Sequence, residues 1–125
     1  MIKSESEKSI ENVCHLNYLT EMMGGKKHLI KGIIDAFLKQ VPEELQSINE
    51  AIVKLDYATI KNFAHTMKSS VSIMGISVLT PVLQEMEDLG GMAADIAKIK
   101  QLNQNLNLIC KQAIEEIDRE KHLYV

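Results

Sequence analysis

Apolar residues in this chain recur at helical spacing in one stretch after another, and no segment alternates with period two over the length of a strand. From Lys26 to Gln40 the stripe is Leu29, Ile30, Ile33, Ile34, Phe37 and Leu38, which is the i, i+3, i+4, i+7, i+8 pattern of an amphipathic helix. From Pro42 to Leu55 it is Leu45, Ile48, Ile52 and Leu55. Pro42 lacks a backbone N–H, so it is expected to end the first of these helices or to begin the second. Glu43 and Glu44 then fall in a first turn, where the helix dipole favours anions. Asp56 is placed to cap a helix over Tyr57–Met74, striped by Ile60, Ala64, Met67, Val71 and Met74 with Phe63 beside them.

Gly75 is expected to end that helix, and another begins between Ser77 and Pro81 and carries Val82, Leu83, Met86 and Leu89. Gly90-Gly91 reads as the next break. A last helix follows from about Met92 to Glu120, with Ile99, Leu102, Leu106, Ile109, Ala113 and Ile117 on one face. A short amphipathic piece, Leu16 to Met23, precedes them all. Aromatic residues make up only 4% of the chain and tryptophan is absent, which also favours helix over a sandwich or barrel. Short connections between long helices imply antiparallel neighbours. The expected fold is all-α: an antiparallel up-and-down four-helix bundle with an additional short N-terminal helix. Its expected organisation is a flexible segment over 1–15, one bundle over 16–120 and a tail over 121–125. At 125 residues there is room for one domain.

Several function classes are excluded at this level. A net charge of −3 argues against a nucleic-acid partner, because a phosphate backbone demands a basic surface. No apolar run approaches a membrane span, and the first residues have no signal-peptide core. Cys14 and Cys110 are far apart and form no CxxC spacing, so a reduced, cytoplasmic setting and free thiols are expected. There is no phosphate-binding glycine loop, no HExxH and no EF-hand, so neither a nucleotide nor a metal site is expected. Without a nucleotide site the chain is not expected to act as a kinase on its own.

One helix carries candidate chemistry. In Phe63–Gly75, His65 lies off the apolar stripe, and its neighbours on the same face are Lys61, Lys68, Ser69 and Ser72. An imidazole with cationic neighbours and no bulky side chain on its C-terminal side suits reversible phosphoryl transfer. A free imidazole has a pKa of ~6.5, so a neutral ring nitrogen is available as a nucleophile at neutral pH. Lys68 can then neutralise the added charge through a charge-assisted hydrogen bond, worth roughly 1.5–3 kcal/mol.

These residues resemble the signature of the histidine-containing phosphotransfer (HPt) domains of multistep two-component phosphorelays. The signature is an alanine-histidine pair, a lysine three residues on, then small residues and a glycine. Here it reads Ala64-His65, Lys68, Ser69-Ser70 and Gly75. The upstream run Tyr18–Gly25, the helix with Phe37, and Val41-Pro42 are also similar to the family, so the resemblance covers roughly 16–118.

The resemblance implies that His65 is the phosphoryl acceptor and donor, relaying phosphate between aspartates of receiver domains, and that Lys68 holds the phosphoryl oxygens. It implies that the partner receiver supplies Mg²⁺ and that this chain binds no cofactor. The expected partners are a response-regulator receiver domain and a hybrid sensor histidine kinase, met by a monomer. Ser69 stands where the family most often has glycine, which lets the partner approach the ring. Ser69, Ser72 and Lys61 are expected at the docking surface, and Gly75 at the turn after the helix. Leu16, Leu19 and Met23 either extend the docking surface or close the end of the bundle. The competing reading is a non-catalytic helical adaptor that binds a receiver or kinase domain without accepting phosphate. His15, His28 and His122 show no partner pattern and are expected to be inert.

Overall fold

The computed structural model describes residues 13–124. It contains five helices: α1 (Leu16–Met22), α2 (Lys27–Val53), α3 (Tyr57–Ile73), α4 (Thr80–Met92) and α5 (Ile96–Glu120). Short 3-10 turns stand at Ser77–Leu79 and Lys121–Tyr124, and there is no strand among the described residues. The four long helices pack in a ring, α2 on α3, α3 on α4, α4 on α5 and α5 back on α2, with the α3–α4 interface the most extensive. The core follows the stripes the sequence shows, from Ile30 and Phe37 on α2 to Leu106 and Ile117 on α5, except that Leu29 and Leu55 of those stripes are exposed.

Two breaks expected from the sequence do not occur. Pro42 lies inside the single helix Lys27–Val53. An interior proline costs about 3 kcal/mol through its missing hydrogen bond and its ring clash. Phe37, Val41, Leu45 and Ile48 flank it, and all four are buried on one continuous stripe. Burying each such side chain contributes about 1.5–3 kcal/mol, so together they outweigh the proline. Gly90-Gly91 is likewise inside a helix, because α4 runs to Met92. The chain turns one step later, through Ala93 and Asp95, both at positive φ. Asp95 then caps α5 by accepting a hydrogen bond from the Lys98 N–H at 3.1 Å. The last helix therefore starts at Ile96 and not at Met92.

Other boundaries fall where the residues place them. The Asp56 side chain accepts from the Thr59 amide at 3.2 Å and from its hydroxyl at 2.7 Å, capping α3. Those bonds hold the Asp56 carboxyl below the usual aspartate range. At the far end Gly75 adopts φ +71°, and two hydrogen bonds close the helix, Gly75 N–H to Ser72 O and Ile76 N–H to Val71 O. This is a Schellman motif, with buried Val71 and Ile76 as its apolar contact. Space adds a second demand for glycine here, because a β-carbon on Gly75 would stand 2.9 Å from that of His15.

Of the terminal segment expected to be flexible, residues 1–12 lie outside the described part. Its last residues are tied down. The N–H groups of Val13 and Cys14 donate to the Glu116 carboxylate at 2.7 and 3.0 Å, and the His15 N–H donates to Met74 O at 3.2 Å. Glu116 is the one buried charged side chain among the described residues, and these donors satisfy it. Of the tail expected at 121–125, Lys121–Tyr124 packs against α2 and α5, and residue 125 lies outside the described part. Cys14 and Cys110 are free and buried. Burial pushes the Cys110 thiol up to about 12. Burial, followed by the Glu116 charge, also raises Cys14. Neither is a reactive thiol.

Candidate functional site

Helix α3 turns one face fully inward. Ile60, Ala64, Met67 and Val71 are all inaccessible to solvent. Helical geometry then presents Lys61, His65, Ser69 and Ser72 outward, and all four are exposed. The His65 side chain is 68% exposed. Serines at 69 and 72 leave the ring open on its C-terminal side.

Lys68 takes a different path. Its side chain, 23% exposed, leans onto α4. There Nζ lies 2.7 Å from Glu87 Oε1 and donates to Gln84 Oε1, also at 2.7 Å. Gln84 in turn donates to Asp88 Oδ1 at 2.9 Å. The other oxygen of Glu87, Oε2, lies 3.0 Å from Nδ1 of His65. One carboxylate on α4 thus bridges the histidine and the lysine of α3. The Lys68 ammonium first, and the imidazole after it, hold the Glu87 carboxyl below the usual glutamate range despite its partial desolvation.

Glu87 and Gln84 are site residues that the sequence reading missed. Gln84, Glu87 and Asp88 share the i, i+3, i+4 spacing of one polar face, a visible signal. Nothing in that spacing says which neighbouring helix the face meets. The Gly90-Gly91 pair, expected as a break, instead lies inside α4, where Gly90 runs against the backbone of α3.

The expected docking residues divide. Ser69, Ser72 and Lys61 share the exposed face with His65. Leu16 and Leu19 do not: they are 7% and 0% exposed and belong to the core, so they close the bundle end. Their inward direction follows from the hydrophobic stripe of α1, which leaves Tyr18 and Met22 on the outer face. Met23 is half-buried against the core. Two depressions flank α3. One, between α2 and α3, is lined by Ile33, Ala36, Phe37, Gln40, Ser70 and Ile73. The other, at the C-terminal end of α3, is lined by His15, Tyr18, Ser72, Gly75, Ser77 and Thr80. Among the described residues no three His, Cys, Asp or Glu side chains converge as a metal site. No described helix is long and apolar enough to cross a membrane.

A family model, the Hpt domain, matches residues 32–120, most of the chain and all of α3, α4 and α5. The chain belongs to the Hpt domain family, which places it in two-component phosphotransfer signalling among receiver domains and kinases. No curated protein and no solved structure matches it significantly.

Proposed function

We propose that His65 accepts a phosphoryl group from an aspartyl phosphate on one receiver domain and passes it to the aspartate of another. The observation that carries this reading is the exposed imidazole on the outward face of α3, inside the matched region, with the Lys68 ammonium anchored one turn on. The chain contributes the nucleophile, a nearby cation and the docking face formed by Lys61, Ser69, Ser72 and the apolar groove beside them. The receiver contributes Mg²⁺ at its own acidic site, and this chain works without a bound cofactor. Lys68 moves from Glu87 toward the phosphoryl oxygens once they arrive, exchanging one anionic partner for a more highly charged one. The setting is the cytoplasm, with a hybrid sensor histidine kinase upstream and a monomeric Hpt chain between the receivers.

The test is incubation with a phosphorylated receiver domain and Mg²⁺, followed by Phos-tag gel and intact mass, with His65→Gln in parallel. An acid-labile, base-stable phosphate that His65→Gln does not take is the expected result. Binding of the receiver with no phosphate acquired would instead make the chain a helical adaptor.

A further inference from the structure

Across the bundle from His65, α5 packs back on α2. Asn49, Asn103, Gln104, Asn107, Leu108 and Lys111 line a depression of about 420 Å³ there. Three of its amides are bonded to one another. Asn103 and Asn107 each donate from Nδ2 to Asn49 Oδ1, at 2.7 and 3.3 Å, and Asn107 also donates to Asn103 O at 2.7 Å. The cluster is not self-sufficient. Asn103 Oδ1 is buried without a donor. The Asn49 NH₂ and the whole Gln104 amide make no hydrogen bond among the described residues. A buried acceptor without a donor is destabilising, so turning these amides outward to meet a new partner sacrifices little.

The chemistry and spacing of the groove restrict what it can hold. An Asn or Gln side chain carries donors and an acceptor side by side, so it matches a peptide group whatever side chains that peptide bears. Asn103 and Asn107 are one turn apart, about 6 Å along the axis of α5. Alternate residues of an extended chain are ~6.7 Å apart and present their N–H and C=O groups to the same side. The charge of the guest is set by α5. From Ile96 to Ile114 it carries Lys98, Lys100 and Lys111 and no carboxylate. Lys100 and Lys111 fall on the same stripe as the amides and bracket them. Neither forms an ion pair among the described residues. Over the same length α2 carries Glu43, Glu44 and Glu50, so the acidic side of a guest turns toward α5. Leu108, 67% exposed, adds an apolar contact at the centre.

We propose that the α2–α5 groove is a docking site for an extended acidic segment of a partner protein. Asn49, Asn103, Gln104 and Asn107 hold its main chain, and Lys100 and Lys111 hold its carboxylates. The groove is on the opposite side of the bundle from His65, so the assignment does not depend on His65 being the acceptor. A protein anchored there leaves His65 uncovered and raises the effective concentration of whatever domain it carries.

The test titrates the ¹⁵N-labelled full chain with an acetylated, amidated hexapeptide of alternating glutamate and valine, up to millimolar concentration. ¹H–¹⁵N correlation spectra follow the side-chain NH₂ signals, which Asn49→Ala, Asn103→Ala and Asn107→Ala assign. Saturable shifts of these three NH₂ groups are expected, with the signals of the α3 face unmoved. The same peptide N-methylated at each valine keeps every charge and loses the main-chain donor of every second residue. It is expected to bind about ten-fold more weakly. Asn107→Ala is expected to weaken binding of the unmodified peptide about three- to ten-fold, and Lys111→Gln to reduce its salt dependence. Thermal melts check that both variants are folded. No shift at millimolar peptide, equal binding of the N-methylated peptide, or unchanged binding in both variants overturns the proposal. Shifts centred on the α3 face overturn it as well, because they place the peptide beside His65.

Discussion

Gly90 of α4 lies against the backbone of Lys61 on α3, so closely that an added β-carbon would stand 3.0 Å from the Lys61 nitrogen and 3.2 Å from its α-carbon. One turn on along α3 and one turn back along α4, Glu87 meets His65. The close approach at Gly90 and the carboxylate–imidazole contact belong to one interface, and the first sets the spacing of the second.

Gly90→Ala is expected to destabilise the fold, and Gly91→Ala to stabilise it. Alanine favours a helix interior over glycine by about 1 kcal/mol at either position. At Gly91 the new methyl meets only the flexible Lys61 side chain, at 3.7 Å, so that gain is kept. At Gly90 it meets helix backbone that cannot step aside, and overpacking of this kind costs about 1–3 kcal/mol. Urea unfolding of the two variants beside the wild type checks the opposite signs.

Met67 and His65 sit two residues apart on α3 and are expected to answer oppositely to substitution. Met67 has no solvent exposure, so Met67→Ala costs about 2–5 kcal/mol. His65 is exposed, and His65→Gln is expected to leave the melting temperature within about a degree or two while removing phosphate acceptance. A large stability loss in His65→Gln would mean that its contact with Glu87 is structural.

The strap at Val13–His15 depends on one carboxylate. Glu116→Ala leaves two backbone N–H groups without their acceptor, at a cost of about 1–3 kcal/mol. Hydrogen exchange at the Val13 and Cys14 amides is expected to accelerate far more than exchange in the α3 core, since the damage is local. Equal acceleration throughout would show that the strap is part of the global folding unit.

Glu44 gives a pH prediction with a definite sign. Desolvation, and after it the neighbouring Glu43 charge, raises its carboxyl above the usual glutamate range, and its Oε1 has no hydrogen-bond partner. A carboxyl raised in the folded state favours folding when protonated. Its penalty appears as pH climbs through the folded pKa. Glu44→Gln is therefore expected to raise the melting temperature at pH 7 and to change it little in acid below the ordinary glutamate pKa. A stabilisation that is equal at both pH values would assign the effect to packing and not to charge.

Much of this was legible in the residues themselves. The stripe Ile60, Ala64, Met67, Val71 and Met74 named the buried face of α3, and by subtraction the outward face that carries Lys61, His65, Ser69 and Ser72. The caps at Asp56 and Gly75 were legible because each depends on side-chain or backbone chemistry within a few residues. Pro42 and Gly90-Gly91 misled because local propensity argued for breaks that packing overrode. At Pro42 the burial of Phe37, Val41, Leu45 and Ile48 prevailed. At Gly90 the missing side chain served a contact between helices.

The sequence by itself determined the all-helical class, the buried face of α3 and the exposed histidine, because helical periodicity converts spacing directly into direction. Only the tertiary structure decided that Glu87 and Gln84 stand beside His65 and Lys68. Those pairs join residues 22 and 16 positions apart on different helices, and which helices become neighbours, and at what distance, is settled by how their side chains pack.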